Sequence, residues 1–353
     1  MIRYCTLFDR SFLSRGLALF RSIGRTHDDF TLYILALDEE TASILRSLRD
    51  VRIVVTGLDD MLARYPELDS LRNSRTRGEF CWTLTPFLLQ FCLWAYGLPD
   101  CIYIDADLFF FSSPTQGLAM YRGASVLLTE HRYTPRFDQT VTSGKYCVQY
   151  MLFKNDERGC EALEWWRQRC AEWCFGRMEG GKFGDQKYLD DWLSRFGGVE
   201  VLEDPGFGAA PWNIQEFAIM DSGDALLLVD RVTRVEHPLV FYHFHALRKC
   251  AKGYWFLGAY PITGDAKDSI YKRYTRELEE IERLYPSARM DESRLPSRDG
   301  TISALAHVLA GEAKSLVKAA INFMSIDRGI REYRAAFDDR MESYLRFSEP
   351  GKD

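Results

Sequence analysis

The sequence predicts an α/β fold: a mixed, mainly parallel sheet flanked by helices, with a helical C-terminal extension. Three observations predict it. Over the first hundred residues, short apolar runs alternate with stretches whose apolar residues recur every three to four positions. One of those runs, Cys101-Ile102-Tyr103-Ile104, ends directly in Asp105-Ala106-Asp107. From about residue 264 onward the periodicity is helical throughout. The expected division is a sheet domain over residues 1–263 and a helical extension over 264–353.

The elements follow in order. Arg3 to Leu7 predicts a first strand, and Leu13, Leu17, Phe20 and Gly24 mark the buried face of a helix behind it. Thr31 to Leu37 is apolar enough for a strand covered on both faces, and Asp38 opens a helix to Leu48 as its N-cap. Val51 to Val55 predicts a third strand. Thr83 to Tyr96 predicts a helix with Leu84, Leu88, Phe91 and Ala95 on one side and Gly97 as its stop. The strand Cys101–Ile104 follows, then a strand from Ser125 to Thr129, a polar loop from His131 to Tyr146 and a strand from Gln149 to Phe153. Asn155-Asp156 caps a helix carrying Leu163, Trp166, Cys170 and Trp173, closed by Gly176. Leu239 to His243 is the last clear strand. The extension holds an amphipathic helix from Asp268 to Leu284 and another from Ser303 to Phe323, with Leu305, Val308, Leu309, Leu316 and Ala320 on its apolar face.

Composition narrows the function. The 353 residues carry 45 Lys+Arg against 51 Asp+Glu, a formal charge of −6, which argues against a protein that grips nucleic acid through its phosphates. Apolar residues make up 46 % and charged residues 27 %, so a sizeable core is available and disorder is not indicated. Aromatic residues reach 14 %; such rings serve cores, or stack on sugars and bases. The start has no apolar run of signal-peptide length, and no uninterrupted apolar span of 18 residues follows, so a soluble, cytoplasmic protein is expected. The nine cysteines include no Cys-x-x-Cys pair and are expected as free thiols. Cys170 and Cys174 share a helix face near Cys160, but no further Cys or His stands at zinc-site spacing, so core packing is expected there.

Three stretches carry chemistry. Asp105 and Asp107, separated by one small residue at the end of a buried strand, can turn toward one hard divalent cation. In isolation such a pair also serves simply to cap a strand. His243 and His245 alternate at the end of the last strand and so share a face, with Phe244 on the other. An imidazole joining two carboxylates suits Mn²⁺ better than Ca²⁺ or Mg²⁺. Asp185 and Gln186 follow the hinge Gly180-Gly181-Lys182-Phe183-Gly184. Asp185 is read either as the cap of a helix with Leu189, Trp192 and Leu193 on its buried stripe, or as an acid presented into a cleft; the pattern leaves both open.

Taken in order along the first 260 or so residues, the motifs resemble the nucleotide-sugar glycosyltransferases of the GT-A fold, most closely the retaining family 8 type and bacterial enzymes of cell-surface polysaccharide loci. They are Thr6-Leu7-Phe8-Asp9, Glu79-Phe80-Cys81-Trp82-Thr83-Leu84-Thr85-Pro86, Tyr103-Ile104-Asp105-Ala106-Asp107, Gly184-Asp185-Gln186, Ala210-Pro211-Trp212-Asn213, and His243 with Lys249. The resemblance implies a hexosyltransferase that moves a sugar from a nucleotide-diphosphate sugar, a UDP-sugar above others, to a hydroxyl of a saccharide or lipid-linked saccharide, with retention of configuration. It implies Mn²⁺, or Mg²⁺, held by Asp105, Asp107 and His243, with His245 as the alternative ligand. Thr6, Phe8, Asp9, Asp105, Lys249, Trp212 and Asn213 would meet the donor, Asp185 and Gln186 would lie by the anomeric carbon, and His131 and Arg132 would meet the acceptor. Three departures stand out. Where members of the family often carry Asn and Gly in the strand after the long loop, this chain reads Tyr146-Cys147-Val148-Gln149-Tyr150; Ser11 and Phe12 replace frequent Asn and Tyr; and of the motif around His243 only His243, Phe244 and Lys249 remain.

Two rival readings are a non-catalytic nucleotide-sugar-binding protein of the same fold and an aspartate-dependent phosphatase. The phosphatase wants a small hydroxyl residue or valine where Phe109 stands. The extension, with Lys314 and Lys318 beside an apolar face, is read as a packing or homo-oligomer contact, with a peripheral membrane contact on the inner face as the alternative.

Overall fold

The computed structural model describes residues 1–223, 225–250 and 253–292, and the backbone of 344–346. Two compact units emerge, one of residues 1–245 with 263–290, the other of 246–262 with 291–353. The helix expected at Ser303 to Phe323 lies outside the described residues.

The first unit is built on a seven-stranded sheet. Strands β1 (Ile2–Phe8), β2 (Phe30–Ala36), β3 (Ile53–Gly57), β4 (Asp100–Ile104), β6 (Val126–Glu130), β7 (Tyr146–Lys154) and β8 (Val199–Leu202) lie in the order β3-β2-β1-β4-β7-β6-β8, with β5 (Leu108–Phe110) outside it. Only β7 runs antiparallel to its neighbours, so the expected mixed, mainly parallel sheet is what forms. The chain winds outward from β1 through β2 to β3, then returns to place β4 on the other side of β1. Strand order therefore reverses between β1 and β4, and in open α/β sheets ligands settle beyond the strand ends at that point.

Helices α1 (Leu13–Thr26), α2 (Glu39–Ser47), α3 (Leu58–Arg64), α4 (Glu67–Ser74), α5 (Arg77–Ala95) and α6 (Glu157–Glu172) accompany the sheet. Asp38 caps α2 as expected, accepting the Thr41 N–H at 2.7 Å. Asp156 caps α6 through the Gly159 N–H at 2.8 Å. The main core lies between the sheet and α5 and α6; it includes Leu84, Leu88, Cys92, Trp166, Cys170 and Cys174.

Several boundaries move for identifiable reasons. The third strand starts at Ile53 rather than Val51 because Asp50 accepts the Arg52 N–H at 3.0 Å and turns the chain first. Helix α5 starts at Arg77, one and a half turns before Thr83, because Thr76 and Glu79 form a reciprocal capping box. β7 begins at Tyr146, which shortens the polar loop. Helix α6 ends before Trp173, whose backbone is extended, and not at Gly176. The last expected strand is regular only over Phe241–His243.

A smaller sheet joins β5, β9 (Phe207–Ala209) and β13 (Phe241–His243), and a meander of β10 (Phe217–Asp221), β11 (Leu226–Asp230) and β12 (Glu236–Pro238) precedes it. The amphipathic helix is continuous from Gly264 to Leu284, with a π turn over Lys267–Tyr271 and the regular helix α7 over Lys272–Leu284. It packs on α1. In the second unit β14 (Arg248–Cys250), β15 (Tyr254–Phe256) and β16 (Tyr344–Arg346) form an antiparallel sheet. Among the described residues no helix is long and apolar enough to cross a membrane.

Candidate active site

The sheet edge at the switch point is where the sequence placed its carboxylates, and the backbone explains how they face inward. β4 ends at Ile104; the Asp105 N–H then bonds the Gln149 carbonyl at 3.0 Å, and Leu108 N–H returns to the Asp105 carbonyl at 3.2 Å. This tight turn, with buried Ala106 at its centre, leads straight into β5. β5 pairs antiparallel with β13, Leu108 opposite His243, and the Phe244 N–H bonds the Asp107 carbonyl at 3.0 Å. The last strand is thereby stitched to the turn, and His243 arrives over both aspartates.

His243 Nε2 lies 3.2 Å from Asp107 Oδ1 and 3.8 Å from Asp105 Oδ2. One ligand atom from each of the three residues falls within 4.8 Å of the others. Two carboxylates and an imidazole so spaced form a donor set that fits a divalent cation such as Mn²⁺. His245 is exposed and is not in that group, although its ring lies 5.7 Å from that of His243.

The three groups bias one another's protonation. Burial pushes the Asp105 carboxyl up, with the Asp107 charge adding to it against the pull of His243. Burial also acts on Asp107, but His243 beside it holds its carboxyl below the usual range. Burial disfavours a charged His243; Asp107 and Asp105 nonetheless raise it well above the ordinary histidine value. Around them stand residues the sequence did not mark. Tyr103 donates its hydroxyl to Asp105 Oδ1 at 3.0 Å, and Gln149 Oε1 lies 2.7 Å from His243 Nδ1. Burial would raise the Cys147 thiol, but His131 and His243 draw it down to about 6.

Asp185 lies close enough to Asp105 to feel its charge. It is not a side-chain cap: its carboxyl is buried, its carbonyl accepts the Trp166 indole N–H at 2.9 Å, and only short turns follow, Gln186–Leu189 and Trp192–Arg195. Burial, then the nearby Cys174 and Asp105, push that carboxyl well above the usual range. Gly184 delivers it with φ +54°, and a Cβ there would come 3.5 Å from the Trp82 ring.

The remaining expected site residues divide into groups. Thr6 is fully buried on β1, and its Oγ1 has no partner among the described residues. Phe8 packs its ring over Gly16 of α1. Asp9 accepts the Ser11 N–H at 2.9 Å and hydroxyl at 2.7 Å and pairs with Arg77. Beside it opens a cavity of about 340 Å³ lined by Asp9, Asp38, Arg72, Arg75, Arg77 and Phe80, among others. The only sequence sign of this basic lining was the close spacing of Arg72, Arg75 and Arg77 around the start of α5. Trp212 and Asn213 both donate to the His131 carbonyl at 2.8 Å, and the Asn213 amide also bonds Gly208 O and Ala210 N. Their polar atoms thus hold the loop at His131 against the strand at Gly208. His131 is buried and stacked on Tyr133, and Arg132 sits at φ 48° with its guanidinium on the Leu202 carbonyl. Lys249 belongs to the second unit, on β14, with its ammonium over the Trp255 ring.

A second group of potential ligands, Cys5, Cys92 and Cys101, is fully buried between the sheet and α5. It holds no carboxylate or imidazole. Cys170 and Cys174 lie in the same core.

No protein-family model matches the chain. Among solved structures it is similar to the galactosyltransferase LgtC, crystallised with donor and acceptor sugar analogues, at 14 % identity and a TM-score of 0.48, covering 79 % of this chain and 96 % of that one. The uncharacterized protein YfnF of Bacillus subtilis is 32 % identical over 256 residues, 69 % of this chain and 81 % of YfnF. YfnD of the same organism is 30 % identical over 296 residues, 80 % of this chain and 92 % of YfnD. With most of both relatives' lengths matched at this identity, the chain belongs to the family of YfnF and YfnD.

Proposed function

We propose that this protein is a metal-dependent glycosyltransferase that moves a sugar from a nucleotide-diphosphate sugar, a UDP-hexose above others, to a hydroxyl of a saccharide or lipid-linked saccharide, with retention, in cell-surface polysaccharide synthesis. The observation that carries the reading is the meeting of Asp105, Asp107 and His243 at the point where strand order reverses. The order of motifs along the chain, which resembles GT-A enzymes, supports it independently.

Asp105, Asp107 and His243 would hold Mn²⁺ or Mg²⁺. Such an ion, when bound, offsets negative charge as it develops on a departing diphosphate. The chain's own residues do the rest. Asp9 and the arginine-lined cavity at the ends of β1 and β2 receive the nucleoside end of the donor, where Arg72, Arg75 and Arg77 meet its polar edge; Thr6, buried beneath on β1, does not reach it. Asp185 and Gln186 stand by the sugar; the buried acid and the amide hold sugar hydroxyls, and their oxygen dipoles face positive charge as it grows on the anomeric carbon. Trp212, wedged against His243 and His245 with ring centroids 5.4 and 5.7 Å away, offers an apolar wall. The loop that begins at His131 and Arg132 borders the acceptor side.

The test is a thermal-shift panel of nucleoside diphosphates and nucleotide sugars with and without Mn²⁺, followed by donor hydrolysis on the best binder. A bound donor raises the melting temperature by mass action. A rise that needs Mn²⁺, and that Asp107→Ala abolishes, is the expected result. No donor shifting the melt with Mn²⁺ would overturn the reading. Binding without turnover would instead favour the non-catalytic alternative.

A further inference from the structure

Gln149 stands in the strand where members of the resembled family often carry Asn and Gly, and it touches both halves of the candidate cation site. Its backbone carbonyl accepts the Asp105 N–H at 3.0 Å, and its side-chain Oε1 lies 2.7 Å from His243 Nδ1. It is fully buried on β7, held between β4 and β6. We propose that Gln149 is a positioning residue that fixes the tautomer and ring orientation of His243, so that the Nε2 lone pair faces Asp105 and Asp107. This rests on reading those three residues as cation ligands.

The argument is one of lone pairs. A neutral imidazole carries one N–H and one lone pair, and a ligating ring must present the lone pair to the ion. An amide oxygen only accepts, so Oε1 at Nδ1 keeps the proton on that nitrogen and frees Nε2. With the amide reversed, its NH₂ would meet Nδ1, the ring proton would move to Nε2, and the lone pair would point away from the carboxylates. Partners bonded to the far nitrogen commonly orient ligating histidines in this way.

The rest of the amide shows what this orientation costs. Gln149 Nε2 is buried with no partner among the described residues, and so is Arg132 Nη1. Both gather at Gly208, where a Cβ would sit 3.3 Å from the first and 3.4 Å from the second. Reversing the amide would bring its oxygen to the side where these donors lack an acceptor. The observed orientation leaves those two buried donors unanswered and serves the ring instead, since the Nδ1 proton needs an acceptor both in the charged ring beside Asp107 and in the neutral ring that ligates a cation.

The experiment measures binding of Mn²⁺ alone to the full-length protein, by electron paramagnetic resonance of free ion, for the native chain, Gln149→Met, Gln149→Glu and His243→Ala. Gln149→Met is expected to weaken Mn²⁺ about 10–100-fold, while Gln149→Glu, which retains an oxygen toward Nδ1, keeps native affinity or tightens it. Long-range ¹H–¹⁵N spectra of the native chain should show His243 without a lone pair on Nδ1, and Gln149→Met should relax that preference. Native binding by Gln149→Met, or Gln149→Glu as weak as His243→Ala, overturns the proposal while leaving the cation site standing. If His243→Ala binds as the native chain does, or the native chain binds no Mn²⁺, the cation reading falls and this inference falls with it. Should Gln149→Met fail to fold, the glutamate variant and the native spectra decide.

Discussion

His243 and Asp107 face each other at 3.2 Å, imidazole Nε2 to carboxylate Oδ1, across the antiparallel pairing of β13 with β5. Two three-residue strands therefore fix the distance between an acid and a base that stand far apart in the first unit's sequence. Removing either partner has different consequences. His243→Ala leaves two neighbouring carboxylates with no counter-charge, so unliganded stability is expected to fall by about 1–3 kcal/mol. The loss should be larger at pH 5 than at pH 8, because Asp107 and Asp105 raise the folded ring above its unfolded value, so its contribution is complete below about pH 6.5 and falls as pH rises toward the raised value. Asp107→Ala should keep the fold and lose Mn²⁺-dependent donor hydrolysis. Urea melts at the two pH values, with and without Mn²⁺, check both; equal losses at pH 5 and pH 8 would contradict the charge argument.

Asp185→Asn separates stability from activity. Burial, with Cys174 and Asp105 nearby, raises the folded carboxyl well above its unfolded value. The folded state then binds a proton over a range where the unfolded chain has already lost it, so stability falls as pH rises above about 4. An amide removes that slope. The variant is expected to melt higher than the native chain at pH 8, with little difference at pH 4, and to lose donor turnover. Thermal melts at both pH values check the sign, and a variant less stable at pH 8 would refute it.

The parts that were legible are those whose signal is local. An apolar run ending in Asp105-Ala106-Asp107 reads as a strand delivering two carboxylates, and the alternation Tyr242-His243-Phe244 sets the face of His243. What brings them together is the β5–β13 pairing, and strands of three residues carry no periodicity to read. Gln149 read only as the start of a strand and part of a stretch that departs from the family pattern; its partner stands 94 positions away. Asp185 was ambiguous because an acid after glycine looks the same whether it caps a helix or is buried before a 3₁₀ turn. The arginine-lined cavity needed α4 and α5 to be folded against the ends of β1 and β2.

Glu277 ties α7 to α1. It is buried, with Oε1 2.9 Å from Arg21 Nε and the other oxygen on Arg25, while Arg21 also reaches Glu280 at 2.9 Å. Removing the buried member of such a cluster strands charge that the half-exposed members do not. Glu277→Ala is expected to cost about 1–3 kcal/mol, and Arg25→Ala under about 1 kcal/mol. Denaturant melts of the two variants check the ranking; equal costs would show that the pair acts as an exposed one.

Glu79 links the start of α5 to the segment that delivers Asp185. One carboxylate oxygen accepts the Thr76 N–H at 2.8 Å, closing the capping box, and the other accepts the Gly176 N–H at 2.7 Å. The Gly176 bond first, then those from Thr76, hold the carboxyl below its usual range in spite of some burial. Its stabilising contribution is therefore complete above about pH 4.3 and is lost as pH falls through the lower folded value. One turn further along α5, Trp82 covers Gly184, so the helix start holds both ends of the loop leading to Asp185. Glu79→Ala should cost about 1 kcal/mol as a lost cap, a deficit that shrinks at pH 3. Its larger effect should be on turnover, since Asp185 depends on this loop for its place. Glu79→Gln has one oxygen left, so it can keep either tie but not both, and should fall between. Amide hydrogen exchange at neutral pH should rise over residues 176–184 in Glu79→Ala while β1 and β4 stay protected. Unchanged exchange there with lost turnover would mean that Glu79 acts on the reaction by another route than the loop.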